Sequence, residues 1–193
     1  MKKKITTAVI GVVCVCLVIG FYYYWTHKSS AEQETTVSEV QQVLLKDLSG
    51  SSYPKTPREV IKYLVKIQTC LYNEDCTEDE LHQLADQMRL LMDDELAQNN
   101  PADQLYLRID QEVESYKENK CTINNATVCD TNDVTYATVN GKECAYVSVS
   151  YFTKDKDGFS RVNQNYALRQ DDDGNWKILA FELKEGDTES DEQ

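Results

Sequence analysis

The apolar positions of this chain change their spacing twice. From Ile5 to Trp25 there are 21 residues without a charge. Between residues 37 and 120, apolar residues recur at helical intervals. After Lys120 they alternate with a period of two. These three regimes predict a membrane-spanning helix, a group of amphipathic helices and a set of half-buried strands.

In the helical stretch, Val37, Val40, Leu44 and Leu48 predict a short lead-in helix, broken by Ser49-Gly50-Ser51-Ser52. Thr56-Pro57-Arg58-Glu59 is a strong helix start. Thr56 caps, Pro57 suits the first helical position, and Glu59 completes a capping box. Val60, Ile61, Leu64, Ile67 and Leu71 form the apolar stripe behind it. Thr77 to Glu80 is a second capping box, followed by Leu81, Leu84, Ala85, Met88, Leu91 and Met92. Asn100-Pro101 starts a third long helix with Leu105, Ile109, Val113 and Tyr116 on one side. Each stripe is one-sided, so these helices lie on a partner layer.

The alternating stretch starts with a strand within Cys121–Val128. Val134, Tyr136 and Thr138 then alternate with Thr135, Ala137 and Val139. Asn140-Gly141 is a two-residue hairpin signal, since both residues tolerate positive φ. Ala145, Val147, Val149 and Tyr151 form one face of the next strand. Val162, Gln164, Tyr166 and Leu168 mark another, and Trp176 to Leu183 the last. Asp155–Gly158 and Asp171–Asn175 are the turns between them. Helices followed by an antiparallel meander predict an α+β fold.

Charge sharpens the first regime. The chain carries 33 acidic and 20 basic residues, a net −13. Residues 1–28 hold four Lys and no acid, so residues 29–193 carry −17. Lys2, Lys3 and Lys4 before the apolar run place that end in the cytoplasm, and Phe21 to Trp25 supply aromatic rings for the opposite interface. A cleaved signal peptide is disfavoured, because bulky aromatics rather than small residues end the run. The expected organisation is cytoplasmic residues 1–4, an anchor at 5–25, a juxtamembrane spacer at 26–52, one extracytoplasmic domain at 53–183 and an acidic disordered tail at 184–193. The expected location is a cell membrane crossed once, with the lipid bilayer as partner through residues 5–25. So acidic a domain repels phosphate backbones, which excludes nucleic acid.

Little catalytic chemistry is visible. His82 and juxtamembrane His27 are the only two histidines. His82 is expected to be solvated. The sequence carries no phosphate loop, dinucleotide fingerprint or nucleophile elbow. Neither acidic turn completes a calcium loop. No metal and no cofactor are expected. Tyr136, Tyr146, Tyr151 and Tyr166 lie on strands and are the candidate ligand-binding residues; a half-buried sheet face also suits tyrosine. Outside the apolar run stand Cys70, Cys76, Cys121, Cys129 and Cys144. Cys70 with Cys76, and Cys121 with Cys129, are the candidate disulfides; the odd count leaves at least one thiol unpaired.

Three amphipathic helices, a curved antiparallel meander and a closing Trp176-Lys177-Ile178 resemble the NTF2-like (cystatin-like cone) superfamily over residues 54–183. That resemblance implies a sheet wrapped around a long helix, leaving a conical pocket. The lysine-flanked anchor with Tyr53-Pro54-Lys55-Thr56-Pro57-Arg58-Glu59-Val60 also looks like membrane-anchored proteins of Clostridia and their relatives. Enzymes of the superfamily use pocket carboxylates and tyrosines, but no motif here matches their sites. The expected role is a non-catalytic module that binds a ligand, a second copy or an envelope protein. The alternative is a cell-surface enzyme of isomerase or hydrolase type.

Overall fold

A computed structural model describes residues 37–184. The predicted anchor, residues 26–36 of the spacer and the acidic tail after Lys184 lie outside the described residues. So do Cys14, Cys16 and His27. Among the described residues, no helix is long and apolar enough to cross a membrane.

The fold is α+β, with helices first and a curved, open antiparallel sheet after them. The helices are α1 (Glu39–Leu44), α2 (Pro57–Asn73), α3 (Glu78–Leu90), α4 (Asp94–Asn99) and α5 (Ala102–Glu118). The strands are β1 (Thr122–Val128), β2 (Thr135–Val139), β3 (Lys142–Lys154), β4 (Phe159–Gln170) and β5 (Trp176–Lys184).

Local chemistry sets the boundaries. Thr56 Oγ1 accepts from Glu59 N at 3.2 Å while Glu59 Oε2 accepts from Thr56 N at 3.1 Å, a complete capping box with Pro57 in the first turn. Thr77 and Glu80 repeat the device on α3. Asn140 and Gly141 adopt φ of 51° and 77° between β2 and β3, the conformation whose twist matches antiparallel strands. Asp155 Oδ1 accepts from the amides of Asp157 and Gly158, and Asp171 Oδ1 from those of Asp173 and Asn175. Both acidic loops therefore use their first carboxylate to close a turn.

Strand β3 is the hub of the sheet. Its first half pairs with β2, its second half with β1, and its whole length with β4, which in turn pairs with β5. Ala145, Val147, Val149 and Tyr151 of β3 are buried on the concave face, opposite Leu168, Tyr166 and Val162 of β4. Tyr146, Ser148 and Phe152 point to the convex face. One extra residue in β1, between Ile123 and Asn125, and one in β5, opposite Ala167/Leu168, are bulges. Such bulges bend a strand and increase its twist, which curves the sheet around the helices.

Helix α2 lies on the concave face with Val60, Ile61, Leu64, Ile67, Cys70 and Leu71 buried. Helix α5 packs on α3 and α2 through Leu105, Ile109 and Val113.

Three expectations change. The lead-in helix is only six residues long, and Val37 is exposed while Val43 is buried. Leu91 and Met92 continue the periodicity of α3 but leave the helix. Ile178 N donates to Leu91 O at 2.8 Å and Asp93 N donates to Ile178 O at 2.8 Å, so this segment joins the edge of β5. Helix α4 follows, capped by Asp93, whose carboxylate accepts from Glu95 N. Six residues with a single apolar pair show too little periodicity to announce a helix.

Candidate functional site

The helix layer does not fill the concave face. A cavity of about 450 Å³ remains between α2, α3, α5 and strands β3 to β5. That volume falls within the range of small-molecule sites. Its floor is apolar: Leu64, Leu71, Leu105, Ile109, Ile123 and Ile178 are all under 10% exposed. Met88, Met92 and Leu96 add flexible apolar walls. The exposed rim carries Arg108 and Glu112, one turn apart on α5, and Val162 and Phe181 on β4 and β5.

Polar groups converge on this apolar floor. The Tyr151 hydroxyl lies 2.7 Å from Gln68 Oε1 and 2.9 Å from the Tyr166 hydroxyl. The Tyr166 hydroxyl contacts Gln164 Oε1 in turn. Beside them, the Tyr72 hydroxyl donates to Glu112 Oε2 at 2.8 Å, and the Tyr72 ring stacks on Tyr116 at 4.2 Å. Burial pushes the phenols of Tyr72, Tyr116, Tyr151 and Tyr166 above their usual range, and the Glu112 charge adds to the effect at Tyr72. All four therefore stay protonated at neutral pH and act as hydrogen-bonding groups, not as phenolate bases.

Of the four tyrosines singled out from the sequence, Tyr151 and Tyr166 line the cavity and touch each other. Tyr136 shares their face, opposite Ala145, but lies beyond the helical cover, 54% exposed and edge-on to Trp176. Tyr146 points to the convex face. The cavity also uses Gln68, Tyr72, Arg108, Glu112, Tyr116 and Gln164, which strand-based reasoning did not single out. One signal was available: Gln68 stands at i+4 from Leu64 and three before Leu71, a polar residue inside an apolar stripe.

His82 is not simply solvated. Its ring stacks on Tyr106 at 4.3 Å and its Nε2 lies 3.3 Å from Asp110 Oδ2, tying α3 to α5.

All five cysteines of the described residues are free thiols in the structure. The pairing of Cys121 with Cys129 does not fit the fold. They flank the seven extended residues of β1, and at about 3.3 Å per residue that separation far exceeds the roughly 7 Å limit between bridged Cα atoms. Cys70 and Cys76, by contrast, face each other across the α2–α3 turn. Cys76 Sγ lies 3.6 Å from Cys70 O, and burial together with neighbouring negative groups pushes both thiols up to about 11.

No curated protein matches this chain. A family model described as Domain of unknown function (DUF6715) matches residues 1–181, and the chain belongs to that family.

Proposed function

We propose that this chain is a membrane-tethered, extracytoplasmic binding module of the NTF2-like cone type. Its cavity takes up a small, largely apolar molecule and does not transform it. The observation that carries the reading is the cavity itself: an apolar floor of about 450 Å³ with a few convergent, protonated hydroxyls and amides. Apolar walls with a few oriented polar groups are the usual composition of a ligand pocket. A sheet curved by two bulges around α2, with the opening beside α5, supports the cone reading. The uncharged run Ile5–Trp25 behind three lysines supports the tether.

A cell-surface isomerase or hydrolase is the second reading. What favours it is Glu112, the one carboxylate among the described residues that line the cavity. It stands on the exposed rim and is engaged by the Tyr72 hydroxyl, while the floor holds phenols and amides. Uptake is therefore preferred over turnover.

The environment-sensitive dye N-phenyl-1-naphthylamine tests the pocket. Saturable fluorescence enhancement is expected with the full chain. Met88→Trp, which fills the wall, should weaken it about tenfold, the factor that corresponds to about 1.4 kcal/mol. Tyr146→Ser on the convex face should leave it unchanged. Equal binding by all three proteins would overturn the assignment. The tether is tested separately by alkaline carbonate extraction of membranes from expressing cells. The chain should stay in the pellet, and its release into the supernatant would remove the anchor from the proposal.

A further inference from the structure

The hydrogen-bond set on the cavity floor has a proton count that does not close as drawn. Three oxygen–oxygen contacts link Gln68 Oε1, the Tyr151 hydroxyl, the Tyr166 hydroxyl and Gln164 Oε1 in a row. Two hydroxyls supply only two protons. If each phenol donates to its glutamine carbonyl, the two phenolic oxygens face each other at 2.9 Å with no proton between them. Burial keeps both phenols neutral, so no further charge rearranges the set.

One half-turn of a glutamine amide resolves the conflict, because it exchanges the carbonyl oxygen for an NH₂ group. The row then runs in one direction. Either the Gln68 amide donates to Tyr151, Tyr151 to Tyr166 and Tyr166 to the Gln164 carbonyl, or every arrow reverses. Both directions have the same consequence. One glutamine is left with an unused carbonyl lone pair and the other with an unused N–H. Among the described residues the Gln164 side-chain nitrogen has no partner. The Gln68 amide also hydrogen-bonds the Tyr166 hydroxyl, but an NH₂ there keeps a second N–H and a carbonyl a second lone pair, and both glutamines line the cavity. The floor therefore offers one acceptor and one donor, on either side of a pair of touching hydroxyls.

From this we infer that the cavity selects a ligand whose inner end is an uncharged group that both donates and accepts, a carboxamide or a hydroxyl, on an apolar body. The inference rests on the cavity being a binding site and specifies the chemistry of what enters it. A carboxylate offers no donor to the free carbonyl and loses its hydration on a floor without a cation. An ammonium offers no acceptor to the free N–H. A bare hydrocarbon leaves both amides unsatisfied, and an unmade buried hydrogen bond costs more than a made one contributes. The charged cavity residues, Arg108 and Glu112, stand at the rim and not on the floor.

The test uses the full chain in nanodiscs and four probes that share one apolar body: 2-naphthamide, 2-naphthoate, 2-naphthylmethylammonium and naphthalene. Binding is read by equilibrium dialysis with subtraction of empty nanodiscs. The amide should bind at least tenfold tighter than each of the other three, the return on one or two buried neutral hydrogen bonds. Gln68→Met and Gln164→Met should each reduce that preference toward unity while naphthalene binding persists. Retained naphthalene binding also shows that a variant is folded. If wild-type protein binds amide and naphthalene equally, the pocket stands and the polar pair is overturned. If it prefers the naphthoate, the uncharged inner end is overturned. If none of the four binds, the inference and the binding reading fall together.

Discussion

Replacing Asp93 by alanine should lower the unfolding free energy by about 3 kcal/mol, read from urea denaturation at neutral pH. Asp93 is the one charged side chain counted as buried among the described residues. Arg169 donates to both of its oxygens, from Nε to Oδ2 at 3.0 Å and from an Nη to Oδ1. The same carboxylate caps α4. Breaking a buried pair by removing one partner costs about 3–5 kcal/mol when the survivor stays desolvated. Here the survivor, Arg169, is 25% exposed and regains water, so about 2 kcal/mol is the better figure for the pair. Loss of the cap adds about 1 kcal/mol.

The reverse variant, Arg169→Leu, leaves the carboxylate of Asp93 buried without its hydrogen-bonded cation. It should cost at least as much as Asp93→Ala. A much smaller loss would show that the pair contributes little.

The pair also sets a pH dependence. Burial works against the Asp93 anion, but the Arg169 hydrogen bonds, the Glu95 amide and the charges of Arg169 and Lys142 outweigh it, and the carboxyl is held below its usual range. A group with a depressed folded pKa stabilises above its unfolded value, near 3.9, and loses that contribution as pH falls through the folded value. Wild-type stability should therefore drop more steeply than that of Asp93→Ala below about pH 4. Parallel profiles would contradict the assignment.

That pair was invisible in the sequence, and the reason is general for this fold. Asp93 and Arg169 are 76 residues apart, and only the docking of Leu91–Asp93 along β5 brings them together. What was legible is local. Thr56/Glu59 and Thr77/Glu80 declared their helices because a capping box is satisfied within four residues. Asn140-Gly141 declared its hairpin because the turn needs positive φ at both positions.

The strand parity of Tyr151 and Tyr166 was also legible, and it put them on the cavity face. Parity alone could not separate them from Tyr136, which has the same parity but no helix above it. Nor could it find Tyr72 and Tyr116. Tyr72 enters from the flank of α2, where a half-polar side chain reads as a helix edge, and Tyr116 from the end of the apolar stripe of α5, where it reads as core. The cavity exists because α5 packs on the other helices and leaves the concave face below it open, which is a tertiary fact.

Leu71→Ala should be the most destabilising leucine truncation on the cavity wall, at about 3 kcal/mol. Leu71 is 1% exposed on the inner side of α2 and also lines the cavity. Buried leucine-to-alanine changes span about 2.7–5 kcal/mol, with the upper values belonging to sites that leave a new void. Here the lost atoms merge with a cavity already present, so the lower part of the range applies. For a domain of this size the melting temperature should fall by about 10 °C. A native domain has on the order of 5–15 kcal/mol to lose, so the variant should still fold at 25 °C.

Leu84→Ala separates the two consequences. Leu84 is fully buried and does not line the cavity, so its truncation leaves a separate void and should cost more, toward the upper part of the leucine-to-alanine range, without enlarging the site. Leu71→Ala should gain affinity for a probe bulkier than N-phenyl-1-naphthylamine, such as its tert-butyl derivative, and Leu84→Ala should not. The added contacts would recover part of the lost stability in proportion to ligand concentration, since whatever binds only the native state raises its apparent stability. Equal behaviour of the two variants would mean that Leu71 closes the core and not the cavity, and that the wall of the site lies elsewhere on α2.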